Sequence, residues 1–195
     1  ITTYAVANTT PVTISANYGS TLTAGITVNP PVLSAFSISP ASMVGGVTSQ
    51  GTVTLTGAAP GSGLTVSLSS TSPSKASVPT NVTVSAGSLS AQFTITTYPV
   101  SSATTVTISA TQGSTLTAGV MINLPDGILT GGSTVGAADA LKALRFAAHI
   151  DAPSANDLAH GDVAPLVNGV PHPDGKINLA DVVAILRKAA GLINW

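Results

Sequence analysis

The sequence has no cysteine among its 195 residues. Disulfide frameworks, zinc–thiolate sites, c-type haem attachment and cysteine nucleophiles are thereby excluded. Charge is scarce: charged residues make up 7%, with six Lys and Arg against seven Asp and Glu and a net charge of −1. So few basic residues leave no electrostatic footprint for nucleic acid and no polybasic cluster for anionic lipid. No apolar run reaches the roughly 18 residues that a membrane-spanning helix needs, so no membrane insertion is expected. The chain opens without Met or a signal peptide and is expected to be processed or partial. Its three histidines, His149, His160 and His172, form no HExxH-like set, and no serine lies in a GxSxG elbow. No enzyme is expected.

What the chain does contain is repetition. "ITTYAVANTTPVTISANYGSTLTAG" from Ile1 aligns without a gap to "ITTYPVSSATTVTISATQGSTLTAG" from Ile95, a period that suits one β-sandwich. Residues 1–31 are then expected to be the last strands of a preceding repeat, and residues 32–125 a complete one. The prolines at Pro30 and Pro31 stiffen the junction between them.

The complete repeat alternates polar and apolar residues in "FSIS", "GTVTLTG", "LTVSLSS", "NVTVS", "SAQFTITT", "TVTISAT" and "LTAGVMINL", separated by Gly-, Pro- and Ser-rich turns. About seven short strands predict a two-sheet sandwich. Its inward set is Val53, Leu55, Val66, Leu68, Val82, Val84, Phe93, Ile95, Val106, Ile108, Leu116 and Val120. On these runs the segment resembles a bacterial immunoglobulin-like repeat. Such repeats occur in tandem in secreted and surface proteins, which implies an extracellular or bacterial cell-surface location.

After "NLPDG" the period shifts from 2 to 3.6. "GAADALKALRFAAHI" is expected to turn Ala140, Leu141, Leu144 and Ala148 inward, and "NLADVVAILRKAAGLI" to do the same with Val182, Val183, Leu186 and Ala190. A short third helix capped by Ser154 is expected in "SANDLAHGD". The two long segments match at a constant offset, Asp139 on Asp181, Leu144 on Leu186 and Arg145 on Arg187, which marks a duplicated loop–helix unit.

With "DGKINLADVVAILRKAAGL" as its best motif, residues 126–195 resemble a type I dockerin, a small all-α duplicated calcium-binding domain that docks onto cohesin domains. Calcium takes about six to eight oxygens, and Gly at loop position 6 permits the sharp turn. The resemblance implies Ca2+ ligation by Asp162, Asn168, Asp174, the Lys176 carbonyl and Asp181, with Asn178 acting through water. That register requires two four-residue inserts in the loop, "APLV" and "VPHP". The first loop lacks the expected acids, and Asp126 and Asp139 are its only candidate ligands. The family's partner-binding region corresponds to Ala137, Ala138, Lys142, Arg145, Leu179, Ala180, Arg187 and Lys188. The expected whole is multidomain: an all-β immunoglobulin-like sandwich followed by the dockerin-like domain. Three functions stand open: a calcium-dependent module that docks a cohesin-like protein, a structural subunit of a filament or surface layer that pairs with other chains of the same protein through residues 1–31, and the accessory tail of a larger secreted enzyme.

Overall fold

The computed structural model describes residues 1–195. Eleven strands come first: β1 (Thr10–Tyr18), β2 (Ser20–Val28), β3 (Leu33–Ser39), β4 (Ser42–Val44), β5 (Thr48–Leu55), β6 (Leu64–Ser70), β7 (Ala76–Ser77), β8 (Asn81–Val84), β9 (Ser90–Thr97), β10 (Thr104–Gln112) and β11 (Ser114–Asn123). Helices α1 (Ala137–Ala147) and α2 (Ala155–Gly161), the two-residue strands β12 (Leu166–Val167) and β13 (Val170–Pro171), and helix α3 (Leu179–Ala189) complete the chain. The protein is thus mostly β-sheet with three short helices. Ser154 caps α2, as expected, by accepting from the Asp157 amide.

Residues 33–123 form a five-stranded sheet, β4-β11-β10-β6-β8, and a four-stranded sheet, β3-β5-β9-β7. Strict alternation buries every second side chain along β5 and β10. The two inner faces meet in one aliphatic core that includes Val53, Val66, Ile95, Val106, Ile108 and Val120. Ten of the twelve residues expected to point inward are fully buried, and Val82 and Leu116 pack partly buried at the margin. Phe93 lies so close over Gly51 that a Cβ there would collide with the ring. Phe93 in turn stacks on Phe36, their centroids 6.0 Å apart. All seven predicted runs are strands. The short strands β4 and β7 carry too little alternation to be read from sequence.

Ahead of this body, β1 and β2 form a two-stranded sheet of their own. Its register, from Thr10 opposite Val28 to Tyr18 opposite Ser20, repeats the register of β10 and β11, from Thr104 opposite Ile122 to Gln112 opposite Ser114. The two hairpins differ in cover. β10 pairs on its far side with β6, and β11 with β4, whereas both outer edges of β1–β2 are unpaired.

A second core lies among the helices, with α1 packed on α3. It contains Leu129, Ala140, Ala143, Phe146, Val163, Ile177, Val182, Ala184 and Ile185. The expected inward stripe is corrected here. Ala140 and Val182 are buried, but Leu141, Leu144, Val183 and Leu186 are 61%, 42%, 50% and 52% exposed, and Ala148 and Ala190 are exposed as well. Each helix carries two apolar stripes, and a core this small covers only one. Small residues at the contact, Ala140, Ala143 and Ala184, allow the close approach that seals Phe146 and Ile185.

The two equivalent isoleucines provide an internal comparison. Ile108→Ala, in the sealed core, is expected to cost about 2–5 kcal/mol. Ile14→Ala, at the same place in the open hairpin, is expected to cost under about 1 kcal/mol. Chemical denaturation of both variants checks the difference.

Candidate metal centre

Each long helix begins with an aspartate at its third position, and each aspartate folds the preceding loop onto itself. Asp139 Oδ1 accepts from the amides of Leu129 and Thr130 and from the Thr130 hydroxyl, all at 2.8 Å, and its Oδ2 accepts from the Gly136 amide at 2.8 Å. Asp181 Oδ1 accepts from the amides of Val163 and Ala164 at 2.9 and 2.7 Å, and its Oδ2 from the Asn178 amide at 2.8 Å. The two loops therefore share one bonding plan. Leu129 and Thr130 correspond to Val163 and Ala164, and Gly136 corresponds to Asn178.

The second loop is longer by a single excursion, Pro165–His172, closed by a 2.9 Å bond from the His172 amide to the Pro165 carbonyl. This corrects the reading of two separate inserts. Asn168 and Gly169, at φ 52° and 81°, form the two-residue turn between β12 and β13. Left-handed φ at both positions is the signature of a tight hairpin turn, which Asn-Gly favours. Asn168 is exposed at that turn, so it leaves the expected ligand set. Val100 of the sandwich and Pro171 of the excursion, both buried, line a common cleft with Pro99, Ser101, His172 and Pro173.

The electrostatics of the two loops differ. Burial acts against the Asp139 carboxylate, but hydrogen bonds from Gly136, Thr130 and Leu129 outweigh it and hold its pKa below the ordinary value. The first loop is complete as an anion ringed by its own donors. Asp126 is spent elsewhere: its Oδ1 accepts from the Ile128 amide at 2.9 Å and lies 2.7 Å from His160 Nδ1. That contact raises the His160 pKa. The possible first site at Asp126 and Asp139 is not assembled: Asp139 is ringed by its own donors, and the Asp126 carboxylate turns through Oδ1 to Ile128 and His160 and makes no contact with Asp139.

In the second loop the balance reverses. Burial pushes the Asp162 carboxyl up to about 6, against hydrogen bonds from the Asp174 and Gly175 amides and with added repulsion from Asp181 and Asp174. Burial also raises Asp181, with Asp174 again adding repulsion. No Lys or Arg pairs with any of the three. Asp162 is 2% exposed and Asp181 fully buried, whereas Asp174 is exposed. Three adjacent carboxylates without a cationic partner make a donor set of hard oxygens that suits calcium. The Lys176 amide donates to Asp174 Oδ1 at 3.0 Å, and its carbonyl accepts no backbone hydrogen bond. No three acidic or histidine side chains converge on one ion-sized point. Their oxygens are turned onto backbone amides, and an arriving cation has to displace those donors. Asn178 is the N-cap of α3; its Oδ1 accepts from the Ala180 amide at 2.7 Å.

The expected partner-binding residues divide. Ala137, Ala138, Arg145, Leu179, Ala180 and Arg187 are exposed. Lys142 turns inward to Asp157 at 2.7 Å and to the Leu129 carbonyl at 2.8 Å. Lys188 bonds the Asp126 carbonyl at 3.3 Å and covers the Trp195 ring at 4.2 Å. These two lysines tie the domain together, and their spacing alone did not reveal it. The sequence reading missed Leu141, Leu144, Val183 and Leu186 as surface residues. Their pairing across the duplication was the available signal.

A carboxyl whose folded pKa is raised binds its proton more tightly when folded. Its contribution to stability is therefore fullest below the unfolded value, near 4, and is lost as pH rises through about 6. Without calcium, stability is expected to fall across that window, and Asp162→Asn is expected to flatten the fall. Asp139→Asn is expected to destabilise at all pH values above about 4, by about 1–3 kcal/mol, because it removes a carboxylate that satisfies buried amides. Thermal melts across pH 4–7 measure both effects.

Comparison with known proteins gives no family: no family model matches the chain, and no curated protein matches it.

Proposed function

We propose that the chain is an extracellular, non-enzymatic attachment or assembly module of a bacterial cell surface. In this reading residues 126–195 are a dockerin-like calcium-binding domain that docks a cohesin-like partner. Residues 32–125 are an immunoglobulin-like sandwich that carries it. The observation that carries the reading is the exposed apolar face repeated on the two helices. Leu141 and Val183, Leu144 and Leu186, and Ala137 and Leu179 are equivalent across the duplication, and all are exposed. Two copies of one exposed aliphatic row, each flanked by an arginine, exceed the scattered single residues of an ordinary surface. The row on α3 borders an open groove of ≈490 Å³ lined by Pro165, Leu166, Leu179, Val183, Arg187 and Ile193. The acidic triad of the second loop abuts the start of α3, so a cation there fixes the helix that presents this row.

The test of this reading is calcium-dependent binding to a panel of purified cohesin-fold domains by surface plasmon resonance. Wild-type chain is expected to bind in calcium and to release in chelator. Val183→Asp with Leu186→Asp is expected to weaken binding at least about tenfold, since each leucine- or valine-sized contact contributes about 1.5–3 kcal/mol, with the melting profile kept. Absence of binding to every member in calcium would overturn it.

A further inference from the structure

The second loop carries an excursion that its twin lacks, and the duplication shows what the excursion is not needed for. In the first loop residues 131–135 separate Thr130 from Gly136; without Pro165–His172, residues 173–177, an equal number, would separate Ala164 from Asn178. Both loops are pinned by the same aspartate plan. The first loop closes and starts its helix with no excursion at all. The role of Pro165–His172 therefore lies in what it touches.

What it touches is the sandwich. In and beside the β12–β13 turn, Val167, Asn168, Gly169 and His172 are exposed, yet Pro171 is buried. Pro171, His172 and Pro173 share a cleft of ≈280 Å³ with Pro99, Val100 and Ser101, which lie between β9 and β10. Val100 is 6% exposed. A second contact joins α2 to the sandwich. Ala159 is buried but is no part of the helical core, and a Cβ on Gly46 would lie 3.3 Å from the Ala159 Cβ. Gly46 sits next to the linker, because the Gly45 amide donates to the Asn123 carbonyl at 3.0 Å. The linker is itself tied to the helical domain: the Gly127 amide donates to the His160 carbonyl at 2.8 Å, and the Trp195 indole donates to the Pro125 carbonyl at 3.2 Å. Charge takes no part in this junction. Lys75 is the sole charged side chain in residues 1–125, and the ion pairs all lie within residues 126–195.

We propose that the excursion Pro165–His172 is an interdomain bracket, which seats on Pro99–Ser101 and locks the helical domain and the sandwich into one rigid unit. The linker and the Ala159–Gly46 contact sit together and act as one hinge point, about which the helical domain would still turn. The seat at Val100, reached from a different part of the helical domain, removes that freedom. The bracket is stiff enough to do so. The His172 amide closes it on the Pro165 carbonyl at 2.9 Å, β12 pairs with β13, and prolines 165, 171 and 173 fix φ, so little conformational entropy is lost on docking. The exposed rows on α1 and α3 are then presented at a set angle to the sandwich. The bracket rests on apolar contact and requires no bound ion, so it is independent of the calcium reading above.

Residual dipolar couplings of the full chain test the proposal. In wild type, amides of the sandwich and of α1 and α3 are expected to fit one alignment tensor. In the chain lacking Pro165–His172 the common tensor is expected to be lost, each domain requiring its own. Pro171→Asp, which places a charge in the buried seat, is expected to lose it as well, with the helical amides still dispersed. Val167→Asp, at a 46% exposed position of the same hairpin, is expected to keep it. Two tensors in wild type overturn the proposal. One tensor in the shortened chain shows that the linker and Ala159 suffice and also overturns it; should that chain lose its helical fold, one tensor in Pro171→Asp does the same. Loss of the common tensor in Val167→Asp assigns the effect to the hairpin's own fold and overturns the seat at Val100.

Discussion

The C-terminal seventy residues depend on one interaction, made twice. A carboxylate at the third position of a helix reaches back and gathers the amides of the loop before it. Asp139 and Asp181 do this with the same oxygens toward equivalent amides. Buried amides without partners cost about 1–3 kcal/mol each, so these carboxylates fix where each loop crosses the helix start. The loop then positions Leu129 or Val163 in the shared core. With so few apolar residues available, the domain relies on this polar pinning as well as on its small hydrophobic centre.

The same plan gives two electrostatic outcomes. In the first loop, donors outnumber charges and the anion is satisfied in place. In the second loop, Asp162 and Asp174 join Asp181, and no basic side chain answers them. The first loop satisfies its carboxylate with its own donors, whereas the second leaves a charge imbalance that the proposed calcium ion would correct. The excursion in the second loop leaves after Ala164 and returns at Pro173. It interrupts neither the Asp181 pinning nor the Asp174-to-Asp181 segment.

Much of this was legible in the sequence. Period-2 alternation located seven strands and nearly the whole sandwich core, because a two-layer sheet buries alternate residues along its central strands. The repeat beginning at Ile1 and Ile95 anticipated the identical hairpin registers. The duplicated helices and the Ser154 cap followed from short local patterns. Three features were not legible. Asn168 was read as a ligand because one-dimensional spacing does not distinguish two inserts from one hairpin, although Asn-Gly is itself a turn signal. Leu141, Leu144, Val183 and Leu186 were read as inward because a helix with two apolar stripes does not declare which one packs. Lys142 and Lys188 were read as surface because their inward bonds go to backbone carbonyls and an acid distant in the chain.

The central claim is that the chain holds one calcium ion, in the second loop alone. Isothermal titration of the apo chain with calcium near neutral pH tests it most directly. The account predicts a single site, lost in Asp181→Asn and retained in Asp126→Asn. No binding, or two equivalent sites, would contradict it.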